Sequence, residues 1–403
     1  MDELTGQTMD EPRRGDAATD DPARRWVRSP VPASRLALAW RPLLLLALLG
    51  TVLGVGCCLL DLHQTQAVYG GLVHTGPHGP AAALLRRELP SDKQFTLGEH
   101  DGPMYYAIAR DPFHLHQVSQ YLDRPRYRLQ HPLLSWLAWA AHPWGGGDAM
   151  VWTLFGVSVV AIFMGSVAAG ALSATLKGPI WPALAFGVMP GAIMSLRITT
   201  GDALGAALLL VALVASFRGH LVLTAVAAAA AVLAKEPVLL GLVGVALWRR
   251  DRDALALVVP PLVVAGAWYV WLRIQLGGGG EGIVEFGLPF VGLGRALPIW
   301  RAGDANYAML SVIVTLVLAI AALVRHGWRH PLGLAVLLQL AVLVCYSVSV
   351  IGLDRNATRM TLPLMAVALI MLVTPRAASA FQRPARASTT GAMASSASTL
   401  RPT

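Results

Sequence analysis

Apolar residues in this chain form long runs, and the charged residues are confined to the joints between those runs. A helix needs about 20 apolar residues to cross the hydrocarbon core of a membrane. The pattern therefore predicts an all-α polytopic membrane protein with about ten transmembrane segments. We place these segments at residues 43–61, 149–172, 179–196, 202–217, 220–234, 237–248, 254–274, 306–324, 331–353 and 360–375.

Two of the predicted segments, 220–234 and 237–248, flank the sequence AKEP and are too short to cross a membrane independently. One or both are expected to be broken or tilted helices that neighbouring helices support. Small residues in the sequences MGSVAAGALSA and GDALGAA predict close contacts between helices, as packing within lipid requires.

The composition agrees with this pattern, because 55% of the 403 residues are hydrophobic and only 14% are charged. These values exclude an ordinary soluble domain. The net charge is +9, but the basic residues lie mostly at helix ends and in the tails, where membrane lipids explain them without nucleic acid. We expect a polytopic membrane domain over residues 41–375, with disordered cytoplasmic tails at 1–40 and 376–403.

Short basic loops predict the orientation of the segments, because such loops tend to stay in the cytoplasm. An arginine-rich N-terminal tail in the cytoplasm also places the C-terminal tail there and leaves two long loops outside, at residues 62–148 and 275–305. The basic residues that this orientation places inside are Lys177, Arg218, Arg249, Arg250, Arg252, Arg325 and Arg329.

Four cations contradict this orientation because they fall on the outer side. They are Arg197, Lys235, Arg355 and Arg359. Each lies close in sequence to an acidic residue, namely Asp202, Glu236 or Asp354. Two interpretations are open: local ion pairs that close loops, or an anion site that the four cations share with an acidic residue of the first outer loop.

That acidic residue lies in the sequence LGEHDGPMYYAIARDP, where Glu99 and Asp101 form an E-x-D element. Pro103 favours a helix start, and Pro112 favours a helix end before it. Asp101 is then either an N-terminal cap of this helix or a functional carboxylate in a loop too long to be a simple connector.

The sequences EHDGPMYYAIARDP and RPRYRLQHPLLSW together resemble the first extracytoplasmic loop of bacterial members of the GT-C superfamily. These polytopic glycosyltransferases use lipid-linked sugar donors, and their first outer loop carries amphipathic helices. The segments LRITTGDALGAALLL, AVLAKEPVLL and DRNATRMTLPL also resemble parts of this superfamily. The resemblance in architecture covers most of residues 43–375.

The resemblance implies an inverting transfer from a polyprenyl-phosphate sugar to a glycan, lipid or protein, outside a bacterial cytoplasmic membrane. Asp101 would be the base, with Glu99 beside it, and the four outer cations would bind the phosphate. Tyr105 and Tyr106 either stack against a sugar or isoprene unit or anchor the helix at the membrane surface. The remaining residues assigned to substrate binding are Arg110, Asp202 and Glu236.

No metal or other cofactor is expected, because Glu99 and Asp101 are too few ligands for a divalent cation. A zinc site built on His100, His114, His116 and His131 has no supporting spacing, and we expect these histidines to be solvated. The arginines of LDRPRYRLQHP either contact lipid headgroups or form a solvated surface.

Two other functional classes compete with the enzyme. A transporter or flippase for a lipid-linked saccharide would place its charges near the membrane midplane on broken helices, often in two related halves. No repeat between halves is visible in this sequence. A non-catalytic partner with a GT-C-like fold is the third hypothesis, and the presence of Asp101 argues against it.

Overall fold

A computed structural model of the chain describes residues 33–64, 70–73, 78–89, 101–277, 285–303 and 305–376. Most of these residues are helical, and none of them forms a strand; one isolated antiparallel bridge joins Phe286 to Tyr346. The predicted all-α class is therefore confirmed. Most of the predicted tails, 1–40 and 376–403, lie outside the described residues. Residues 33–40, predicted to belong to the disordered N-terminal tail, are instead the start of the first helix.

Short helices lie between the first two long helices, and helices of mixed length follow them. The helices are α1 (Ala33–Gln64), α2 (Gly70–Val73), α3 (Ala82–Glu88), α4 (Gly102–Arg110), α5 (Leu115–Ser119), α6 (Pro125–Leu129), α7 (Leu133–Ala141), α8 (Gly147–Thr175), α9 (Pro182–Gly187), α10 (Pro190–Arg197), α11 (Asp202–Phe217), α12 (Leu221–Ala234), α13 (Leu239–Arg249), α14 (Val259–Leu276), α15 (Val291–Arg301), α16 (Asn306–His326), α17 (Gly333–Cys345), α18 (Val348–Ile351), α19 (Asp354–Met360) and α20 (Leu362–Val373). Short 3-10 helices at Glu236–Val238 and Arg252–Leu257 precede α13 and α14.

Four helical stretches are long and apolar enough to cross a membrane: Trp40–Gln64, Gly147–Thr175, Arg252–Leu276 and Asn306–His326. The pair α19 and α20 makes a fifth if a helix bent by 43° counts as one span. Large apolar side chains on these helices face outward, for example Leu45 and Val324, which are 66% and 82% exposed. Such surfaces are costly in water and are expected against lipid.

Proline residues determine where several helices break. Pro190 starts α10 after an extended residue, so the predicted segment 179–196 is two helices rather than one. A helix continued past Ala234 would press the ring of Pro237 against a carbonyl group one turn earlier, and α12 accordingly ends there. Pro363 has the same effect at the bend between α19 and α20. The predicted break at AKEP is confirmed.

Glycines in the predicted small-residue stretches lie at helix contacts. A Cβ atom on Gly205 would be 3.0 Å from the Cβ of Lys235, and one on Gly170 would be 2.9 Å from the Cβ of Ala183. The close contacts expected from MGSVAAGALSA and GDALGAA are therefore confirmed.

Several of the basic residues predicted to be inside meet at one end of the bundle, which we call the basic end. There the Nη1 atom of Arg249 donates to the Ser216 carbonyl oxygen at 2.5 Å, and the Trp248 indole donates to the Arg329 carbonyl oxygen at 2.8 Å. Ser216 lies near the C-terminus of the 16-residue helix α11, whose first residue is Asp202. Because such a helix is about 24 Å long, Asp202 marks the opposite end of the bundle.

The span Arg252–Leu276 has the least packing against its neighbours, with only 17% of its apolar window buried. Two hydrogen bonds join this span and the residue that follows it to α6. The Trp268 indole donates to the Leu129 carbonyl oxygen at 2.7 Å, and Arg126 donates to the carbonyl oxygen of Gly277 at 3.2 Å.

The close contact between α1 and α9 leads to a stability prediction. A Cβ atom on Gly50 would lie 2.5 Å from the backbone oxygen of Leu184, so Gly50→Ala must push the two helices apart. Overpacking of this kind costs about 1–3 kcal/mol, and we expect a lower melting temperature in detergent.

Gly56→Ala is the matched control, because a Cβ atom on Gly56 in the same helix meets no atom within 4 Å. It should keep or raise the melting temperature, since alanine favours a helix over glycine by about 1 kcal/mol. Equal effects of the two substitutions would contradict the predicted contact.

Candidate functional site

Asp101 precedes α4, as the sequence predicts, but its carboxylate makes no capping hydrogen bond to that helix. It accepts a hydrogen bond from Arg128 at 2.6 Å and forms an ion pair with Arg359. Asp101 therefore occupies the predicted N-cap position, but its side chain does not cap the helix. The carboxylate is committed to two cations from distant parts of the chain.

Arg359 also reaches a second carboxylate, with its Nη1 atom 3.2 Å from Oδ2 of Asp202. The Nζ atom of Lys235 lies 3.6 Å from Oδ1 of the same residue. All three residues are almost inaccessible, at 6%, 2% and 8% exposure for Arg359, Asp202 and Lys235. Buried charges are tolerated only when they are paired this closely.

We call this group the ion cluster, and its members are Asp101, Arg128, Asp202, Lys235 and Arg359. The helix breaks described above position two of its cations. Lys235 has an extended backbone directly after α12, and Arg359 lies four residues before Pro363 at the bend of α19 into α20. Local sequence thus places both cations at interruptions in the bundle, where their side chains turn toward Asp202.

The ion cluster itself holds three cations and two carboxylates, and Asp123 supplies a third carboxylate. Its Oδ1 and Oδ2 atoms accept hydrogen bonds from Arg128 at 2.8 and 2.9 Å. With Asp123 the charges balance. The cluster in this state is therefore a neutral network rather than an open cationic pocket.

The pKa of Asp101 follows from these contacts. Burial alone would raise the pKa of this carboxyl group, but the adjacent guanidinium groups of Arg359 and Arg128 outweigh the effect of burial. Together they hold the pKa of Asp101 well below its ordinary value. Asp101 is therefore ionised across the physiological range of pH.

Two further cations form a second group beside the ion cluster. Arg197, at the end of α10, forms an ion pair with Asp61 of the last turns of α1. Arg355 lies one turn before Arg359 on the same helix and close enough to Arg197 and Asp61 to feel their charges. The charge of Asp354, the residue before Arg355, also acts on this guanidinium group.

Three of the four outer cations do not form the local ion pairs that were one interpretation of the sequence. Arg197 and Arg359 pair with residues more than 100 positions away, and Lys235 pairs with Asp202 rather than with its neighbour Glu236. Asp354 accepts a hydrogen bond from the backbone of Ala308 at 2.6 Å, and its charge also acts on the adjacent Arg355. The interpretation as local loop-closing pairs is therefore wrong for Arg197, Lys235 and Arg359.

The Glu236 carboxylate and the imidazole of His131, which is 3% exposed, form a hydrogen bond. The expectation that His131 is solvated is therefore wrong, because this imidazole is buried. The contact joins the break after α12 to the turn between α6 and α7. Within the described residues, no group of three or more His, Cys, Asp or Glu side chains is arranged to hold a metal ion.

The two tyrosines of α4 are buried, at 6% exposure for Tyr105 and 0% for Tyr106. The Tyr106 hydroxyl donates to Glu88 at 2.7 Å and accepts from the Gly147 backbone at 2.7 Å. Arg110 pairs with the same Glu88 at 3.1 Å. Both interpretations of the tyrosines need an accessible ring, so the structure corrects them: Tyr105 and Tyr106 pack α4 against its neighbours.

From the sequence, Arg128 is expected in a surface strip of arginines, and nothing in the sequence distinguishes Asp61 or Asp123 as site residues. Arg128 is one of three arginines at alternating positions, and nothing in that local pattern distinguishes it. Its partner Asp101 lies 27 residues away, and Asp61 lies 136 residues from Arg197. Glu99, the other predicted catalytic residue, lies outside the described residues.

No protein-family model, no curated protein and no solved structure matches the chain.

The pairing within the ion cluster predicts a pattern of stability changes. Asp202→Leu removes a carboxylate that Lys235 and Arg359 share, and we expect a loss of about 3–5 kcal/mol because a buried cation is left unpaired. The double variant Asp202→Leu with Lys235→Met should recover at least half of the lost melting temperature, because Arg359 still has Asp101. A double variant as unstable as the sum of both single variants would contradict this pairing.

The depressed pKa of Asp101 predicts how the stability of the cluster depends on pH. A carboxylate with a lowered pKa stabilises the fold above its unfolded pKa of about 3.9, and this contribution declines only as pH falls below that value. The melting temperature of wild type minus that of Asp101→Asn should therefore be constant from pH 5 to pH 8 and shrink below about pH 4. Asp253→Asn, at a half-exposed carboxylate, is the control, and its melting temperature should not differ from that of wild type in this way. A difference between wild type and Asp101→Asn that already shrinks between pH 8 and pH 6 would contradict the lowered pKa of Asp101.

Proposed function

We propose that this chain is an inverting membrane glycosyltransferase. It would move a sugar from a polyprenyl-phosphate donor to a glycan, lipid or protein acceptor on the outer side of a bacterial cytoplasmic membrane. The observation that carries the proposal is the ion cluster, in which Asp101 meets Arg128, Arg359, Lys235 and Asp202 from five separate segments. Burial of so many charges at one end of an apolar bundle is costly, and a function is the usual reason to retain them.

The chemistry of transfer matches the composition of the cluster. As the acceptor oxygen attacks the anomeric carbon, its proton passes to the Asp101 carboxylate. The bond from that carbon to the phosphate oxygen breaks at the same time, and its electron pair leaves with the phosphate. Cations placed against the departing phosphate stabilise this charge. Arg359 and Arg128 suit this role, because guanidinium groups bind phosphate in a bidentate manner.

The ion pairs of Asp101 also suggest how binding of the donor would activate the base that deprotonates the acceptor. In the substrate-free state both guanidinium groups lower the pKa of Asp101, and this weakens it as a base. A donor phosphate competes with Asp101 for the same guanidinium groups. Binding of the donor would therefore release the carboxylate and raise its basicity at the moment when a base is needed.

Two further cations lie near the ion cluster: Arg355, one helical turn before Arg359 on α19, and Arg197 at the end of α10. Asp61 pairs with Arg197, and the charges of Asp61 and Asp354 both act on Arg355. A lipid phosphate that bridges Arg355 and Arg359 on one face of α19 would meet cations from both groups.

A small crevice beside the ion cluster offers an apolar surface for a lipid tail. Its walls include Pro237 and Met360, which are close in sequence to Lys235 and Arg359, together with Val342, Leu343 and Leu364. An isoprenoid chain needs such a surface directly next to its phosphate.

The proposal includes the ten-span arrangement with 62–148 as a large first outer loop. Beyond the five candidate spans, it counts the shorter apolar helices α11, α12 and α17. It also counts two interrupted stretches, α9 with α10 and the 3-10 helix with α13. Helices this short need support from neighbours or a locally thinner bilayer. In this arrangement the basic end lies in the cytoplasm and the ion cluster outside.

Transport of a lipid-linked saccharide is the second candidate function. The observation that favours it is the position of Lys235 and Arg359 at helix interruptions next to Pro237 and Pro363, because transporters build their binding sites from broken helices. An assay that separates the two functions must therefore detect a chemical product.

Asp101→Asn is the decisive variant for the enzyme. In nanodiscs, polyprenyl-phosphate sugars with a labelled sugar are incubated with the protein and a cell-envelope glycan extract, and label transferred to the extract is measured. Both leaflets are accessible there, so transport alone gives no product. Loss of the base should lower the transfer rate by about 100-fold or more, because general bases contribute about that much.

Asp253→Asn is the matched control, since Asp253 lies near the basic end and its side chain is 52% exposed. It should transfer sugar at the wild-type rate. Full activity of Asp101→Asn at equal protein abundance would remove Asp101 as the base, and no transfer by wild type with any donor would leave transport as the better proposal.

A further inference from the structure

We infer that a separate cleft at the C-terminal end of α4 binds several sugar units of an uncharged glycan. This inference rests on the proposed function and deepens it by naming the acceptor class. The cleft has a volume of about 530 Å³, which is within the usual range for ligand sites. Its walls come from α3, α4, α5 and α7 and from the turn after α7.

Exposed aromatic rings form one part of this cleft. Phe113 and Trp144 are 64% and 83% exposed, and Phe113 packs edge to face against Trp139 with ring centroids 4.8 Å apart. Aromatic faces bind the apolar C–H faces of sugar rings, so rings held open to solvent in a concave site suit a saccharide.

The backbone at Trp144 is unusual as well. Its φ of 58° is in the left-handed region, which bulky side chains rarely adopt. This conformation costs free energy and directs a large apolar ring to the surface rather than into the core. Strain of this kind is commonly retained where it serves binding.

Polar groups of both signs complete the cleft. Asp111 and His114 form a hydrogen bond of 2.7 Å, and Glu88 and Arg110 form an ion pair of 3.1 Å. Carboxylate, guanidinium and amide groups donate to or accept from sugar hydroxyls. With Arg87 added, the acidic and basic residues of the cleft balance, and this favours a neutral ligand over a phosphate or another anion.

Helix α4 connects this cleft to the ion cluster. Asp101 precedes its first residue, whereas Arg110 is its last residue and Asp111 follows it. A helix of nine residues is about 13 Å long, so the two sites are separated by roughly that distance. An acceptor of several sugar units can therefore present its terminal hydroxyl to Asp101 while its remote units lie in the cleft.

The competing explanation for the exposed aromatic residues is an anchor in the lipid headgroup region. It does not explain why the rings line a concave site together with Glu88 and Asp111, since carboxylates are unfavourable next to anionic lipid. The test must nevertheless detect an anchor directly.

The experiment uses the full-length protein in nanodiscs without donor. The probes are neutral linear pentasaccharides of mannose, glucose, galactose, arabinose and N-acetylglucosamine, and binding is measured by saturation-transfer NMR and titration. We expect at least one probe to bind and Trp144→Ala and Trp139→Ala each to weaken it about tenfold. Trp181→Ala, which removes a 42% exposed tryptophan outside the cleft, should leave binding unchanged.

Three results would overturn the inference. They are binding of none of the probes, equal binding by wild type and the two cleft variants, and quenching of Trp144 fluorescence by lipids brominated near the headgroup, with Trp144→Phe as the reference. The last result would assign Trp144 to the membrane surface.

Failure of the inference and failure of the proposed function give different results. If Asp101→Asn abolishes transfer while the cleft variants bind glycan normally, only the cleft assignment is wrong. If Asp101→Asn transfers sugar normally while the cleft variants lose glycan binding, the cleft remains a glycan site in a protein whose reaction does not use Asp101.

Discussion

The structure depends on the mutual neutralisation of charges at one end of an apolar bundle. An isolated Lys235 or Arg359 at 8% or 6% exposure would be far too costly, and each is tolerated only because Asp202 and Asp101 lie against it. This requirement fixes the mutual positions of α4, α11, α12 and α19, which apolar packing alone leaves less defined in lipid. In the proposed reaction, the donor phosphate would have to replace one of these carboxylate contacts, so its binding would also rearrange the cluster.

Proline and glycine residues make that cluster possible, because the prolines break helices and a glycine leaves room for a side chain of the cluster. Pro237 and Pro363 each follow a break between two helices, and each break lies next to a cation of the cluster. Lys235 has an extended backbone at the first break, and Arg359 lies in the last helical turn before the second. Gly205 contributes by its small size, because a Cβ atom there would press on Lys235. Sites built on interruptions of this kind need a surrounding bundle that satisfies the freed backbone groups.

Much of this arrangement could be predicted from the sequence, because it depends on local signals. Proline predicts the helix that begins at Gly102 and ends before Pro112, and it also marks the break at AKEP. The periodicity of apolar residues and the sidedness of charge predict that several cations lie on one face of the bundle. The partners of those cations could not be predicted. Arg128 reaches Asp101 across 27 residues and Arg197 reaches Asp61 across 136, and a single sequence carries no signal for such distances.

The polar bonds to the most lipid-exposed span have a consequence for how that span keeps its place. An apolar helix is as stable against lipid tails as it is against neighbouring helices. The area of apolar contact therefore cannot determine the rotation or depth of this span. Hydrogen bonds can determine the rotation and depth of the helix, because they are directional and weaken when their angle changes. Two hydrogen bonds, from Trp268 to Leu129 and from Arg126 to Gly277, therefore fix the rotation of the span about its own axis. Thickness changes in the surrounding bilayer would then tilt the span about this fixed point rather than displace it.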